Sequence, residues 1–479
     1  MIGGDLRVEK YRFRARPQNM NFVLFPFDRN SHQISLFSAI MFICTICMGT
    51  GPFLMYEEVF KCGIIEVLLI IIVIMLLVQL SIHVYMRCWF YGTAYDYQHI
   101  WMCVFGSSLY QFIPIILNIL TYLTYCCRFS LEICKNGAAF LTAVWPGCPS
   151  FLKSKWFLLY FINAITTLPS LFVKSIVSLT WVAYLANIAK VSVIICLIIL
   201  LARSVHEMGF NVVVNTYGKI ENPSLPFFPF ITLFSKDPSA LFICVCSVMK
   251  AFFMHPMLGM IFSEMSNPTV YRCLSSAWLA SFIFVIIYYG IGLITYFIVQ
   301  VHLQDAIQIE SSISTKHDIH FNLFFLANSL FIAKFKNRNV FFNYNKNDHI
   351  EAIIGQISCY AVTLTSNIIY THFISTQVSS LIIDRKKDDV TPVFISGVVV
   401  VLFAIGINFM VSQVIDVLDM ISLVSLVILE FFLPSFFYLK LYRFTKPFWG
   451  IVCLVLLVIG IPISIASIYY KSLYIKSIL

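Results

Sequence analysis

The stretch Met249-Lys-Ala-Phe-Phe-Met-His-Pro-Met-Leu-Gly-Met-Ile-Phe-Ser-Glu264 lies in an apolar run that begins near Ala240, and His255, Pro256 and Gly259 interrupt that run. In hydrocarbon, a broken helix leaves backbone groups without partners, each costing several kcal/mol unless protein, water or a ligand satisfies it. A second interruption sits in the first apolar run, at Met48-Gly-Thr-Gly-Pro-Phe53. Two interrupted spans about half a chain apart are the pattern that places a midplane binding site between broken helices.

The rest of the chain puts these breaks inside a membrane. Its 479 residues are 60% hydrophobic and only 11% charged, with a mean hydropathy of +0.87. That composition excludes a soluble globular domain. Long apolar runs without alternation, such as Val67 to Leu80, specify membrane helices rather than the alternating strands of a barrel. The formal charge of +9 does not point to nucleic acid, because the basic residues sit in the N-terminal tail and between spans. The partner this distribution fits is the lipid bilayer. Most of the fifteen cysteines lie inside apolar runs, where cysteine behaves as a small hydrophobe. Cys44-Thr-Ile-Cys47 has redox spacing but falls within a span. Cys134 and Cys148 would share the non-cytosolic side with Cys62, and spacing alone fixes no pairing among them.

In chain order, residues 1–34 read as a basic cytosolic tail carrying Arg7, Lys10, Arg12, Arg14, Arg16 and Arg29. The first apolar run begins only near Ile34, so it reads as an uncleaved anchor with the N-terminus inside. Residues 35–470 form the transmembrane domain, in about eleven spans starting near Ser35, Gly63, Ser107, Trp156, Ile176, Ala240, Leu274, Ile350, Pro392, Leu418 and Phe448. External loops are expected at 203–238 and 302–348, and a short C-terminal tail at 471–479. Gln111, Pro114 and Asn118 share one face of span 3, as helix glue or cavity lining. Glu57 and Glu58 read as interface charges, and His83 as a core histidine. Five spans, five more and one extra fit two inverted repeats with spans 1 and 6 as counterparts, an all-α polytopic fold.

The chemistry should lie at the breaks. Free N–H groups at a half-helix N-terminus attract an anion and free carbonyls attract a cation, so a zwitterion fits both. At Gly49-Thr50-Gly51 the lack of side chains lets a carboxylate approach the backbone, and Pro52 suits the start of the second half-helix. Met254 and Phe53 contribute apolar wall, and His255 is an ionisable group at membrane depth. Thr363, Thr365 and Ser366 on span 8 offer hard oxygens of the kind sodium needs, although such hydroxyls also bond within their own helix. Among the described motifs there is no His-Glu-x-x-His, nucleophile elbow or acidic metal cluster, so an enzyme is not expected.

Phe252-Phe-Met-His-Pro-Met-Leu-Gly-Met-Ile-Phe-Ser-Glu-Met265, Asn267-Pro-Thr269 and Tyr288-Tyr-Gly-Ile-Gly292 resemble the sixth and seventh spans of the amino acid/auxin permease family. The sodium-coupled neutral amino acid transporter branch is the nearest. Gly49-Thr-Gly51 resembles the family's first break and Val362-Thr-Leu-Thr365 its eighth span, while Ile415-Asp-Val-Leu-Asp-Met-Ile-Ser422 and Leu433-Pro-Ser-Phe-Phe-Tyr-Leu-Lys440 resemble its ninth-to-tenth region. The resemblance implies a leucine-transporter-like fold and secondary transport of a neutral amino acid by alternating access. It further implies substrate at Gly49, Thr50, Gly51, Phe53, Met254 and His255. A cation would lie between spans 1 and 8, at Thr45, Cys47, Met48, Thr363, Thr365 and Ser366. No other cofactor is implied. Pro52-Phe-Leu-Met-Tyr56 replaces the family's Ile-Leu-x-Leu-Pro, Thr45 stands where sodium-coupled relatives carry asparagine, and Ser366-Asn367 replaces a proline. Sodium, a proton and no coupling all stay open on these residues, as do the plasma membrane and a vacuolar or lysosome-like membrane. The competing class is a non-transporting amino-acid sensor signalling through its N-terminal tail.

Overall fold

Apolar segments long enough to cross a bilayer dominate the architecture. Twenty-six residues of helix, the length of Ile64–Trp89, span about 39 Å at 1.5 Å per residue, enough for a hydrocarbon core of about 30 Å. The computed structural model describes residues 34–48, 55–92, 96–106, 109–145, 147–173, 175–208, 213–215, 230–234, 238–313, 350–382, 391–410, 412–442 and 447–478. Among these, eight helices have the length and composition of full membrane spans, and three shorter apolar helices, Leu36–Cys47, Phe157–Leu171 and Thr391–Ile407, complete the expected eleven. The chain is an all-α polytopic membrane protein, and among the described residues the one sheet is the short parallel pair β1 (Val213–Asn215) and β2 (Phe230–Thr232).

Span 6 is divided, and the described part of span 1 is two helices. Span 1a is Leu36–Met48 and span 1b is Met55–Cys62. Gly49, Thr50, Gly51 and Phe53 lie between them, outside the described residues, as does the tail before Ile34. Span 6a is Pro238–Ala251 and span 6b is His255–Ser263, with Phe252–Met254 unwound between the two helices. The physical cause is local: Pro256 has no N–H to donate and its ring is tolerated only in the first turn of a helix. Span 6b therefore starts where the histidine and proline stand.

The other spans run close to the lengths read from hydropathy, with longer ends. Span 2 is Ile64–Gly92, span 3 Ile113–Val144, span 5 Thr180–Met208, and span 7 Val270–Ile313. Helix therefore continues into the first residues of both segments read as external loops. Span 8 is Ile350–Ile382, span 9 Thr391–Met410, and span 10 Ser412–Tyr442 with a wider turn at Ile428–Phe432. Span 4 opens with a similar wide turn at Phe157–Ile162, and span 11 carries one at Leu456–Gly460. Wide turns of this kind are rare and concentrate at functional sites. A connecting helix, Tyr97–Phe105, is capped by Asp96, whose carboxylate accepts from the His99 N–H at 2.7 Å.

Polar glue fixes the helices where no hydrophobic force distinguishes lipid from protein. Asn367 donates to Asn163 at 2.7 Å and Asn163 donates to Ser130 at 3.0 Å, tying spans 8, 4 and 3. Gln79 of span 2 bonds Ser281 of span 7 at 2.6 Å. His83 stacks on Trp449 of span 11, with ring centroids 4.2 Å apart, and contacts Arg87 at 3.0 Å. All fifteen cysteines are free thiols, Cys134 and Cys148 included.

Candidate functional site

Near the described ends of spans 1a and 6a, backbone carbonyls accept from side chains of neighbouring spans. In span 1a, the Cys44 carbonyl accepts from the Lys190 ammonium of span 5 at 3.2 Å, and the Ile46 carbonyl accepts from the Tyr370 hydroxyl of span 8 at 2.7 Å. In span 6a, the Lys250 carbonyl accepts from the Phe253 N–H at 3.3 Å and from the Tyr125 hydroxyl of span 3 at 2.9 Å. The Cys47 thiol meets the Met254 sulfur at 3.8 Å, bringing the end of span 1a against the unwound segment of span 6. Spans 3, 5 and 8 thus meet spans 1a and 6a here.

An aromatic layer covers this junction. The Tyr122 ring of span 3 lies 5.5 Å from Phe253, 5.8 Å from Tyr370 and 5.0 Å from Phe373, within the range of favourable ring pairing. Tyr122 is buried, and its hydroxyl has no hydrogen-bond partner.

Next to it, the first residue of span 6b faces a carboxylate from span 10. His255 and Glu430 are both 0% exposed. His255 Nε2 contacts the Ser81 hydroxyl of span 2 at 3.1 Å, and Ser81 in turn donates to the Glu430 backbone carbonyl. His255 Nδ1 stands 3.5 Å from Glu430 Oε1, and neither that nitrogen nor either carboxylate oxygen has a hydrogen-bond partner. A buried polar atom left unsatisfied costs about 1–3 kcal/mol, more if charged. Glu430 also lies in the wide turn Ile428–Phe432 and at the N-terminus of span 6b, which has no side-chain cap. A helix N-terminus favours negative charge. The arrangement can hold or pass a proton, or accept a ligand's hydrogen-bond donor.

The residues expected to hold a cation are placed as follows. Thr45 donates to the Met41 carbonyl at 2.9 Å and accepts from Asn187 at 3.0 Å. Thr363 donates to the Cys359 carbonyl at 2.9 Å and accepts from Asn136 at 3.2 Å. Thr365 donates to the Ala361 and Val362 carbonyls of its own helix, while the buried Ser366 hydroxyl has no partner. Met48 closes span 1a. Lys190, 1% exposed, already supplies a cation at this end of span 1a. Sequence reasoning passed over Lys190, Glu430 and the aromatic layer; an ionisable residue inside an apolar run was the available signal for the first two.

Polar contacts tie the helices together toward both ends of the bundle. On the N-terminal face, the Ile34 N–H donates to the Glu264 carbonyl at 2.7 Å and the Ser266 N–H to the Ile34 carbonyl at 2.9 Å, pinning the start of span 1 to the end of span 6. The Glu264 carboxylate accepts from Ser175 and from the Val177 N–H at the start of span 5. On the opposite face, Asp419 of span 10 accepts from Arg128 Nε of span 3 at 2.8 Å and pairs with the Lys250 ammonium of span 6a at 2.6 Å.

No protein-family model and no curated protein matches the sequence. Solved structures do. MhsT in complex with L-phenylalanine superposes with a TM-score of 0.56 at 14% identity, covering 92% of this chain and 99% of that one. Mhp1, a nucleobase-cation-symport-1 family transporter in a closed conformation with bromovinylhydantoin bound, gives a TM-score of 0.53 at 12% identity, with 95% and 94% covered. The fold is that of the leucine-transporter type. The membership in the amino acid/auxin permeases implied by the resemblance rests on its motifs alone.

Proposed function

We propose that this chain is a secondary transporter that moves a neutral amino acid by alternating access, with His255 and Glu430 exchanging the coupled proton. The observation that carries the reading is the unsatisfied His255–Glu430 pair at the N-terminus of span 6b, directly beside the meeting of the two broken spans. A stored carboxylate and imidazole at such a point serve a cycle in which protonation changes with each turn. Support for an amino acid comes from the neighbour that holds L-phenylalanine, from the family resemblance, and from the apolar and aromatic wall beside the unwound Phe252–Met254 segment. The Tyr122–Phe253–Tyr370 layer supplies that wall.

A proton fits the site better than sodium. Thr45, Thr363 and Thr365 direct their hydroxyl protons to carbonyls of their own helices. The Lys190 ammonium meets the carbonyl that a soluble cation would approach. One coupled charge draws about 2.3 kcal/mol from 100 mV of membrane potential, roughly fifty-fold accumulation at about 1.4 kcal/mol per factor of ten.

The test is uptake of a mixture of labelled amino acids into proteoliposomes, with sodium and pH gradients imposed separately. Uptake of one neutral amino acid under the pH gradient is expected, lost in Gly51→Val. In Glu430→Gln, gradient-driven accumulation should disappear while exchange of labelled for unlabelled substrate persists. Sodium-driven uptake untouched by Glu430→Gln would remove the proton reading. Ligand binding without uptake under either gradient would favour a sensor.

A further inference from the structure

At the end of the bundle opposite Ile34, the two half-helices that flank the breaks bring a second set of side chains together. Among the described residues, Glu58 and Cys62 of span 1b and Cys244 of span 6a place one carboxylate oxygen and two thiol sulfurs within 4.8 Å of one another. Both cysteines are fully buried. One glutamate oxygen, Oε1, is held by the Ser247 hydroxyl at 3.0 Å, which leaves Oε2 buried without a partner. A fixed carboxylate with one oxygen oriented by a hydroxyl and the other unsatisfied is the arrangement of a metal ligand supported by its outer neighbours.

The backbone holds the pair of ligands on span 1b in place. Cys62 ends that helix, and the next residue, Gly63, takes a positive φ of 97°. A Cβ there would lie 2.6 Å from the Leu233 backbone, so only glycine allows the approach. The Leu233 carbonyl accepts from the Ile65 N–H at 3.2 Å, fastening the turn from the loop side.

We propose that Glu58, Cys62 and Cys244 form a binding site for a thiophilic divalent cation of the zinc type, with water as the fourth ligand. Two thiolates and a carboxylate select such ions over magnesium or calcium. Zinc–sulfur bonds of about 2.3 Å in a tetrahedron set ligand atoms about 3.8 Å apart, so atoms already within 4.8 Å of one another need contract by at most about 1 Å. Binding releases two protons, one from each thiol, and leaves a site of net charge −1 after the dication is counted. The ion joins span 1b to span 6a, so the half-helices on one side of both breaks become a single body. The site is separate from the His255–Glu430 pair and does not depend on the transported substrate.

Cobalt titration of the purified full-length protein tests this. One ion per chain is expected, with the intense d–d bands of tetrahedral cobalt and a thiolate-to-cobalt charge-transfer band. Cys62→Ser and Cys244→Ser should each abolish that band. Ser247→Ala, which leaves all three ligands in place, should keep the band and weaken binding by about ten-fold. Zinc should displace cobalt and raise the melting temperature of the wild type but of neither cysteine variant. The proposal fails if the charge-transfer band is absent, if it survives in both cysteine variants, or if peptide mapping without reductant finds Cys62 and Cys244 joined as a disulfide.

Discussion

Neutralising Asp419 should open the face that Lys250 and Arg128 close. The Asp419 side chain is 4% exposed, while Lys250 is 13% and Arg128 43% exposed. In Asp419→Asn the shape is kept, but two cations from spans 3 and 6a are left facing a neutral amide. Hydrogen bonds to charged groups contribute about 1.5–3 kcal/mol each. The Arg128 contact reaches solvent and is worth at most about 1 kcal/mol, so Lys250 supplies most of the effect. A loss of about 2–3 kcal/mol from the closed arrangement raises the open population roughly 30- to 150-fold, at about 1.4 kcal/mol per factor of ten. The reporter is Cys47, which is buried at the junction of the breaks against Met254. Its labelling by a membrane-impermeant thiol reagent, read by peptide mass spectrometry, should accelerate within that range. Glu351→Gln is the control, because Arg203 and Glu351 form a similar pair at 2.6 Å between spans 5 and 8, away from both breaks. It should cost stability without exposing Cys47. Equal Cys47 labelling in wild type and Asp419→Asn, or equal acceleration by Glu351→Gln, would refute the gate.

Three further outcomes follow from local geometry. A methyl group at Gly292 of span 7 would lie 2.7 Å from Met55 Cγ, at the first described residue after the span 1 break; Gly292→Ala should cost about 1–3 kcal/mol of stability by overpacking, measured by melting in detergent. Lys190→Met removes the ammonium that binds the Cys44 carbonyl and should destabilise by about 0.5–1.5 kcal/mol, while wild-type uptake should be unchanged when choline replaces sodium; sodium stimulation would contradict the role given to Lys190. The hydrogen bond that the His99 ring donates to the Asp96 carboxylate holds His99 above its ordinary value of 6.5, against a smaller opposing effect of burial. Because the folded value is the raised one, the stabilisation is complete below 6.5 and is lost as pH rises through the folded value. His99→Gln should therefore narrow the melting difference from wild type as pH climbs from about 5 to about 9, and a pH-independent difference would contradict the pairing.

The span pattern was legible because length and apolarity act residue by residue, and the break in span 6 was legible because His255-Pro256 cannot continue a helix. What sequence could not separate was a hydroxyl awaiting an ion from one satisfied at home. Thr365 is the example: its spacing in span 8 is the same whether it faces a cation or, as found, the Ala361 and Val362 carbonyls. Glu430 and Lys190 are a different case. Each is a lone ionisable residue in an apolar run, the same feature that singled out His255, and the cost of burying charge applies equally to all three. That cost marks spans 5 and 10 as well as span 6. Partners required the fold, since Ser81, His255 and Glu430 come from three spans and meet only after packing. The same holds for Glu58, Cys62 and Cys244: Glu57-Glu58 looked like interface charge and Cys244 like a small hydrophobe until the two half-helices were set side by side. The order is physical. Hydrocarbon decides which segments are buried and backbone satisfaction decides where helices end, so both are written locally; the pairing of buried charges is decided last and at long range.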